Sequence, residues 1–257
     1  MSEAPRARIA TAIAAAKRRG RTALVGFLTA GFPRRERFRE DLAAVAAAAD
    51  VVEVGVPFTD PMADGTTIQR ASFAALANGV TLPWILEQIR GASAADGAPV
   101  LLMSYLNPLL AYGLERLPRA AAAAGVAGFI VPDLPFEESA ELGSALDREG
   151  LALVQMVTPV TPPERLARLC TAAQGFVYAV TMTGTTGTAV EIPAEVLAYM
   201  DRVRRVAPVP VCAGFGIRSR AQVERFAGHV DGVVVGSALV EALERGEDPR
   251  AFLASLQ

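Results

Sequence analysis

Eight short runs of β-branched and apolar residues recur along the chain, each followed by a loop and then a helical pattern. The loops carry Gly, Pro, Asp or Thr, and the runs recur at intervals of roughly 25 to 40 residues. This rhythm constrains the fold more than any single motif. Strands that alternate with helices call for parallel pairing and right-handed crossovers. Strands are expected at 22–28, from Val51 onward, and at 100–104, 127–131, 151–157, 176–180, 210–213 and 232–235. Helices are expected at 5–17, 35–49, 67–77, 83–93, 114–124, 137–149, 193–206, 219–227, 238–245 and 249–256. A further helix is expected after Thr161, read as its cap, with Pro162 and Pro163 at its first positions. Phe38, Leu42, Val45, Ala46 and Ala49 illustrate the apolar helical face such a fold needs. Eight βα units in 257 residues is the arithmetic of a (β/α)8 barrel, read as a single domain over 1–257. An open doubly wound sheet is the alternative. It fits less well, because no Gly-rich fingerprint follows the first strand.

Composition excludes several partners. Twenty-seven acidic and 25 basic residues give a net charge of −2, scattered along the chain, so neither nucleic acid nor a membrane surface is an expected partner. No apolar stretch reaches the length of a membrane span, and residues 1–21 lack a signal-peptide core. A cytoplasmic location is therefore expected. Cys170 and Cys212 match no metal spacing, and no metal site is expected. Cys212 follows an apolar run and reads as a buried thiol. The single histidine, His229, reads as structural or at the surface.

The chemistry concentrates at the carboxyl ends of the strands, where a barrel of this kind places its site. In the run beginning Val51-Val52-Glu53-Val54-Gly55, side chains alternate, so Val51, Glu53 and Gly55 share a face. A carboxylate among valines is costly unless paired or protonated, so Glu53 is expected to have a raised pKa and to suit general acid/base work. Asp60 and Asp64 follow in the loop. Asp64 is expected to stay ionised, and Asp60 reads most simply as a turn residue. Tyr178 shares a face with Phe176 and Val180, which fits either core packing or a hydroxyl at the mouth. Three glycine-bearing loops lie after strands six, seven and eight: Gly184–Gly187, Gly214-Phe215-Gly216 and Gly236-Ser237. Their backbone N–H groups suit a phosphate, and no basic residue lies in them before Arg218.

The run from Glu53 through Pro57-Phe58-Thr59-Asp60-Pro61-Met62-Ala63-Asp64-Gly65 closely resembles the signature of the tryptophan synthase α subunit family. The resemblance extends over essentially the whole chain, through Phe27-Leu28-Thr29-Ala30-Gly31, Ser104-Tyr105-Leu106-Asn107-Pro108, Val131-Pro132-Asp133-Leu134-Pro135, Gly214-Phe215-Gly216-Ile217 and Val235-Gly236-Ser237. It implies retro-aldol cleavage of indole-3-glycerol phosphate to indole and glyceraldehyde 3-phosphate. It also implies Glu53, Asp64 and Tyr178 as catalytic residues. The phosphate would then rest on Gly187, Gly216, Gly236 and Ser237, and the indole pocket would be formed by Phe27, Tyr105, Ile130, Pro132, Thr186 and Phe215. Asp60, Pro61 and Asn107 would face a β subunit in a heterotetramer of two α and two β subunits. No cofactor is implied for this chain, since pyridoxal phosphate belongs to the β subunit.

The loop after strand six departs from the family pattern. It reads Thr181-Met182-Thr183-Gly184-Thr185-Thr186-Gly187-Thr188 with no arginine following, and Thr66 stands where proline is usual. Two alternatives stay open: a stand-alone lyase that releases free indole, and a non-catalytic regulatory homologue.

Overall fold

The computed structural model describes residues 4–92, 97–181, 192–214 and 216–257. The chain enters through helix α1 (Pro5–Arg18), strand β1 (Ala23–Thr29), α2 (Phe38–Ala48), β2 (Val51–Gly55), α3 (Thr66–Ala77) and α4 (Leu82–Ala92). It continues through β3 (Val100–Met103), α5 (Leu106–Tyr112), α6 (Leu117–Ala124), β4 (Val126–Ile130) and α7 (Ala140–Arg148). Two short segments follow, β5 (Ala152–Leu153) and β6 (Gln155–Val157), then α8 (Pro163–Ala172), β7 (Val177–Val180) and α9 (Ala194–Val206). The chain ends in β8 (Val211–Gly214), α10 (Arg220–Phe226), β9 (Gly232–Val235), α11 (Ser237–Glu244) and α12 (Pro249–Ala254).

All the strand pairings are parallel, in the order β5-β4-β3-β2-β1-β9-β8-β7-β6. The two end segments are halves of one run, separated only by Val154. The sheet thus closes on itself, and the eight expected strands are these nine segments with the fifth divided. The division has a local cause. The first half pairs with β4 and the second with β7, and the Leu153 N–H donates to the Gln174 side chain at 3.0 Å.

Alternation sorts the core into two layers. Inside the barrel lie Ala23, Val25, Val51, Leu101, Ala127, Phe176, Tyr178 and Cys212, and Ile9, Ile13 and Ala16 of α1 join this cluster. Outside, Leu24, Leu28, Val52, Val54, Leu102 and Phe129 pack with Phe38, Leu42, Val45, Ile85 and Ile89 of the surrounding helices. The β3–β4 register shifts at Ala127: Val100 pairs with Val126 but Leu101 with Gly128. The bulge lets both Ala127 and Ile130 point into the barrel. Gly128 is required beside it, because a Cβ there would stand 2.7 Å from atoms of Ala152.

Three local expectations are corrected. Residues 106–112, where no helix is expected, form α5. Pro108 sits in its first turn, where a missing N–H costs no intrahelical bond. Thr161 does not cap α8. Pro162 takes that position, and the Thr161 hydroxyl instead accepts from the Thr158 N–H at 3.0 Å. The helix expected at 137–149 starts as a separate 3-10 turn, Phe136–Glu138, before α7. Cys170 and Cys212 are both buried free thiols, and His229 pairs with Asp201 at 2.9 Å near the surface.

Candidate active site

A cavity of about 690 Å³ opens at the carboxyl ends of the strands. Glu53 projects into it from β2, flanked across the ladders by Phe27 of β1 and Leu101 of β3. Its carboxyl is completely buried, and neither oxygen has a hydrogen-bond partner among the described residues. Desolvation alone raises its pKa from 4.5 to about 8. The group therefore carries its proton at neutral pH.

Asp64 lines the same cavity from the loop after β2. The sequence suggested a polar, ionised setting. The structure instead half-buries the side chain, and burial raises its pKa to about 6, against a lowering hydrogen bond from Tyr105. The two carboxyls are thus both raised, yet still held apart. Tyr178 of β7 lines the cavity near them. Its hydroxyl is held well above the usual phenol range, first by burial and then by the charges of Glu53, Cys212 and Asp64. It is therefore available as a neutral donor.

The opposite rim is polar through its backbone. Gly216, at φ +67°, Gly236 and Ser237 all line the cavity. Ser237 is the first residue of α11, so a helix N-terminus that has no side-chain cap among the described residues lies at the opening. Arg165 lines the cavity but pairs with Glu137, and Arg218, two residues beyond Gly216, holds Glu241 with two bonds of 2.7 and 2.9 Å. Arg165 was not legible as a cavity residue, because it comes from α8 rather than from a strand end. Met103 was legible in principle, since it follows the inward residue Leu101 by two positions on β3.

Of the expected indole wall, Phe27 and Pro132 line the cavity, whereas Tyr105 stands in a small adjoining pocket behind Asp64. Ile130 lies deeper, beside the cavity residue Met103. It is fully buried in the barrel interior, and Val131 and Pro132 form the cavity wall there. Thr186, Gly187 and Phe215 lie outside the described residues, as does nearly all of the unusual loop after β7. On the outer surface Asp60 and Asn107 are exposed and Met62 is 90% exposed. Pro61, expected to project, is buried in its loop.

The family model of the tryptophan synthase alpha chain matches residues 13–257. The chain belongs to this family. The tryptophan synthase alpha chain of Solidesulfovibrio magneticus is 47% identical over 248 residues, 96% of this chain and 95% of that protein. The tryptophan synthase alpha chain of a Roseiflexus species is 45% identical over 240 residues, 93% of this chain and 92% of that one. Among solved structures, a chain of Mycobacterium tuberculosis tryptophan synthase superposes with a TM-score of 0.89 at 38% identity, covering 97% of this chain and 96% of that one. Tryptophan synthase subunit alpha from Legionella pneumophila superposes with a TM-score of 0.87 at 33% identity, covering 97% and 96%.

As a tryptophan synthase alpha chain the protein is a lyase of tryptophan biosynthesis, and the family reaction is cleavage of indole-3-glycerol phosphate to indole and glyceraldehyde 3-phosphate. Among the described residues no group of three or more His, Cys, Asp or Glu is arranged to hold a metal ion. No described helix is long and apolar enough to cross a membrane.

Proposed function

We propose that Glu53 is the general acid and base of this cleavage, and that Asp64 and the α11 N-terminus hold the two ends of the substrate. The observation that carries the reading is a buried, unpartnered carboxyl with a pKa of about 8 facing a cavity of substrate size. Protonated Glu53 gives its proton to indole C3. The resulting carboxylate takes the proton of the hydroxyl on the neighbouring side-chain carbon. As that carbon becomes an aldehyde, the electrons of the broken carbon–carbon bond return to the ring. Glu53 ends as it began, so one residue serves both transfers.

Positive charge builds on the ring during the first transfer. An ionised Asp64 that accepts a hydrogen bond from the indole N–H stabilises it, and the half-buried setting strengthens the interaction. Tyr178 supplies a neutral hydroxyl beside the reacting carbons. The phosphate rests on the N–H groups around Gly216, Gly236 and Ser237, with Gly187 as a further contact. The aromatic ring lies against Phe27 and Pro132, with Thr186 and Phe215 completing the pocket.

The partner in this reading is a tryptophan synthase β subunit that carries the pyridoxal phosphate and consumes the indole. This chain needs no cofactor of its own. Exposed Asp60 and Asn107 supply the contact surface, with Pro61 shaping the loop from beneath, and the working assembly is a heterotetramer in the cytoplasm. The unusual loop sequence Thr181–Thr188, without a following arginine, favours one second reading, a lyase that releases free indole. Indole release by the pure chain, measured with and without a β subunit, separates the two. Strong activation by the β subunit supports the first, and full activity alone supports the second. No cleavage under either condition would refute both.

A further inference from the structure

We propose that Tyr105 is the positioning residue for Asp64, tying its loop and its carboxylate to the body of the barrel. This rests on the reading of Asp64 given above. A phenol hydroxyl has one proton to donate and lone pairs to accept with. The Tyr105 oxygen accepts from the Ala63 N–H at 2.9 Å, immediately before Asp64. Its own proton is then free for a second partner, and Asp64 lines the same small pocket.

The hydroxyl is placed by rigid parts. The Tyr105 ring is buried and stacks on Phe58 with centroids 5.2 Å apart. Its backbone opens α5, whose first N–H, that of Leu106, donates to both Asp133 oxygens at 2.9 and 3.2 Å. From the other side the Gln69 amide donates to the Asp64 carbonyl at 2.9 Å. Asp64 is therefore clamped between α3 and the start of α5. The aromatic-wall role expected of Tyr105 leaves this hydroxyl unexplained.

The clamp has a signature in pH. The titratable groups around Asp64 are Tyr105 after β3, Glu53 on β2, Tyr178 on β7 and Asp133 after β4, while Arg70 on α3 is taken by Glu244. Tyr105 is the hydrogen-bond donor that favours the ionised form of Asp64, against the effect of burial. Its loss raises the Asp64 pKa and shifts the acid limb of the rate upward.

The test is kcat against pH for the wild type, Tyr105→Phe and Asp64→Asn, each with binding of glycerol 3-phosphate measured alongside. Tyr105→Phe is expected to bind glycerol 3-phosphate as the wild type does. Its acid limb is expected to move up by about one unit, which is about a tenfold loss below the limb and a smaller one near pH 8. Asp64→Asn is expected to lose cleavage at every pH. A Tyr105→Phe enzyme with an unmoved acid limb, whether uniformly slower or changed only in KM, overturns the positioning role while leaving Asp64 catalytic. Wild-type cleavage by Asp64→Asn overturns the underlying reading of Asp64, and the proposal with it.

Discussion

The ring of Tyr178 occupies the space that a Cβ on Gly214 would need. Such an atom would stand 2.5 Å from the ring Cε1 and 3.0 Å from the hydroxyl oxygen. Glycine on β8 therefore sets the position of a cavity tyrosine on β7. Gly214→Ala should displace the ring and lower kcat/KM by about tenfold or more, since misplacement of site groups by an ångström costs up to about 10²-fold. Steady-state indole release, paired with a crystal structure of the variant, checks both halves. An unmoved ring with full activity would contradict the account.

Glu53→Gln keeps the shape of the side chain and removes proton transfer, so cleavage should fall by at least about 10²-fold with the fold intact. In the wild type the rate should rise with pH through about 6, as Asp64 ionises, and fall through about 8, as Glu53 loses the proton it must deliver. A pH–rate profile gives the two limbs directly. A rate still climbing well above pH 8 would argue against Glu53 as the acid.

The same burial has a cost to stability. The folded state keeps the Glu53 proton up to about pH 8, whereas the unfolded chain releases it near 4.5. Because the folded value is raised, this group's contribution is most favourable below pH 4.5 and is lost progressively as pH rises to about 8. Gln does not titrate. Relative to the wild type, Glu53→Gln should therefore gain stability over that window, on the order of 3 kcal/mol by pH 7. Urea melts of both proteins at pH 5 and pH 7.5 measure the difference, and an equal gap at the two pH values would refute it.

Gly216 holds φ +67°, a conformation that side chains other than glycine's adopt at a cost of about 1–2 kcal/mol. Gly216→Val should reshape the loop beside the α11 N-terminus and weaken binding of glycerol 3-phosphate at least tenfold. Calorimetric titration reports this without any need for turnover. Wild-type affinity would mean that the phosphate sits elsewhere.

Asp60 is exposed, and its carboxylate accepts the Thr59 hydroxyl at 2.6 Å, away from the cavity. Asp60→Ala should leave the basal cleavage rate near wild type while reducing activation by a β subunit severalfold. Titration of the β subunit against indole turnover is the measurement. Unchanged activation would remove Asp60 from the interface.

The sequence alone determined the barrel. Strand and helix periods are local properties, and eight alternations with loop signals at the strand ends leave little topological choice. It also singled out Glu53, because a carboxylate in a valine run is visible without coordinates, whereas Asp64 and Tyr178 joined it as a set only through the resemblance to the family signature. Only the tertiary structure decided how these groups behave. Asp64 is expected to be ionised in its loop, yet its pKa is raised because the fold half-buries it, and burial is set by residues distant in sequence. Ile130 is a wall residue by resemblance alone, and the bulge at Ala127 is what turns it toward the barrel interior. Pro61 reads as a projecting loop residue, but the fold around it buries it. Residues 106–112 carry no helix expectation, and form one whose first N–H donates to Asp133 from the next strand's loop. In each case the deciding contact joins residues that local propensity cannot connect.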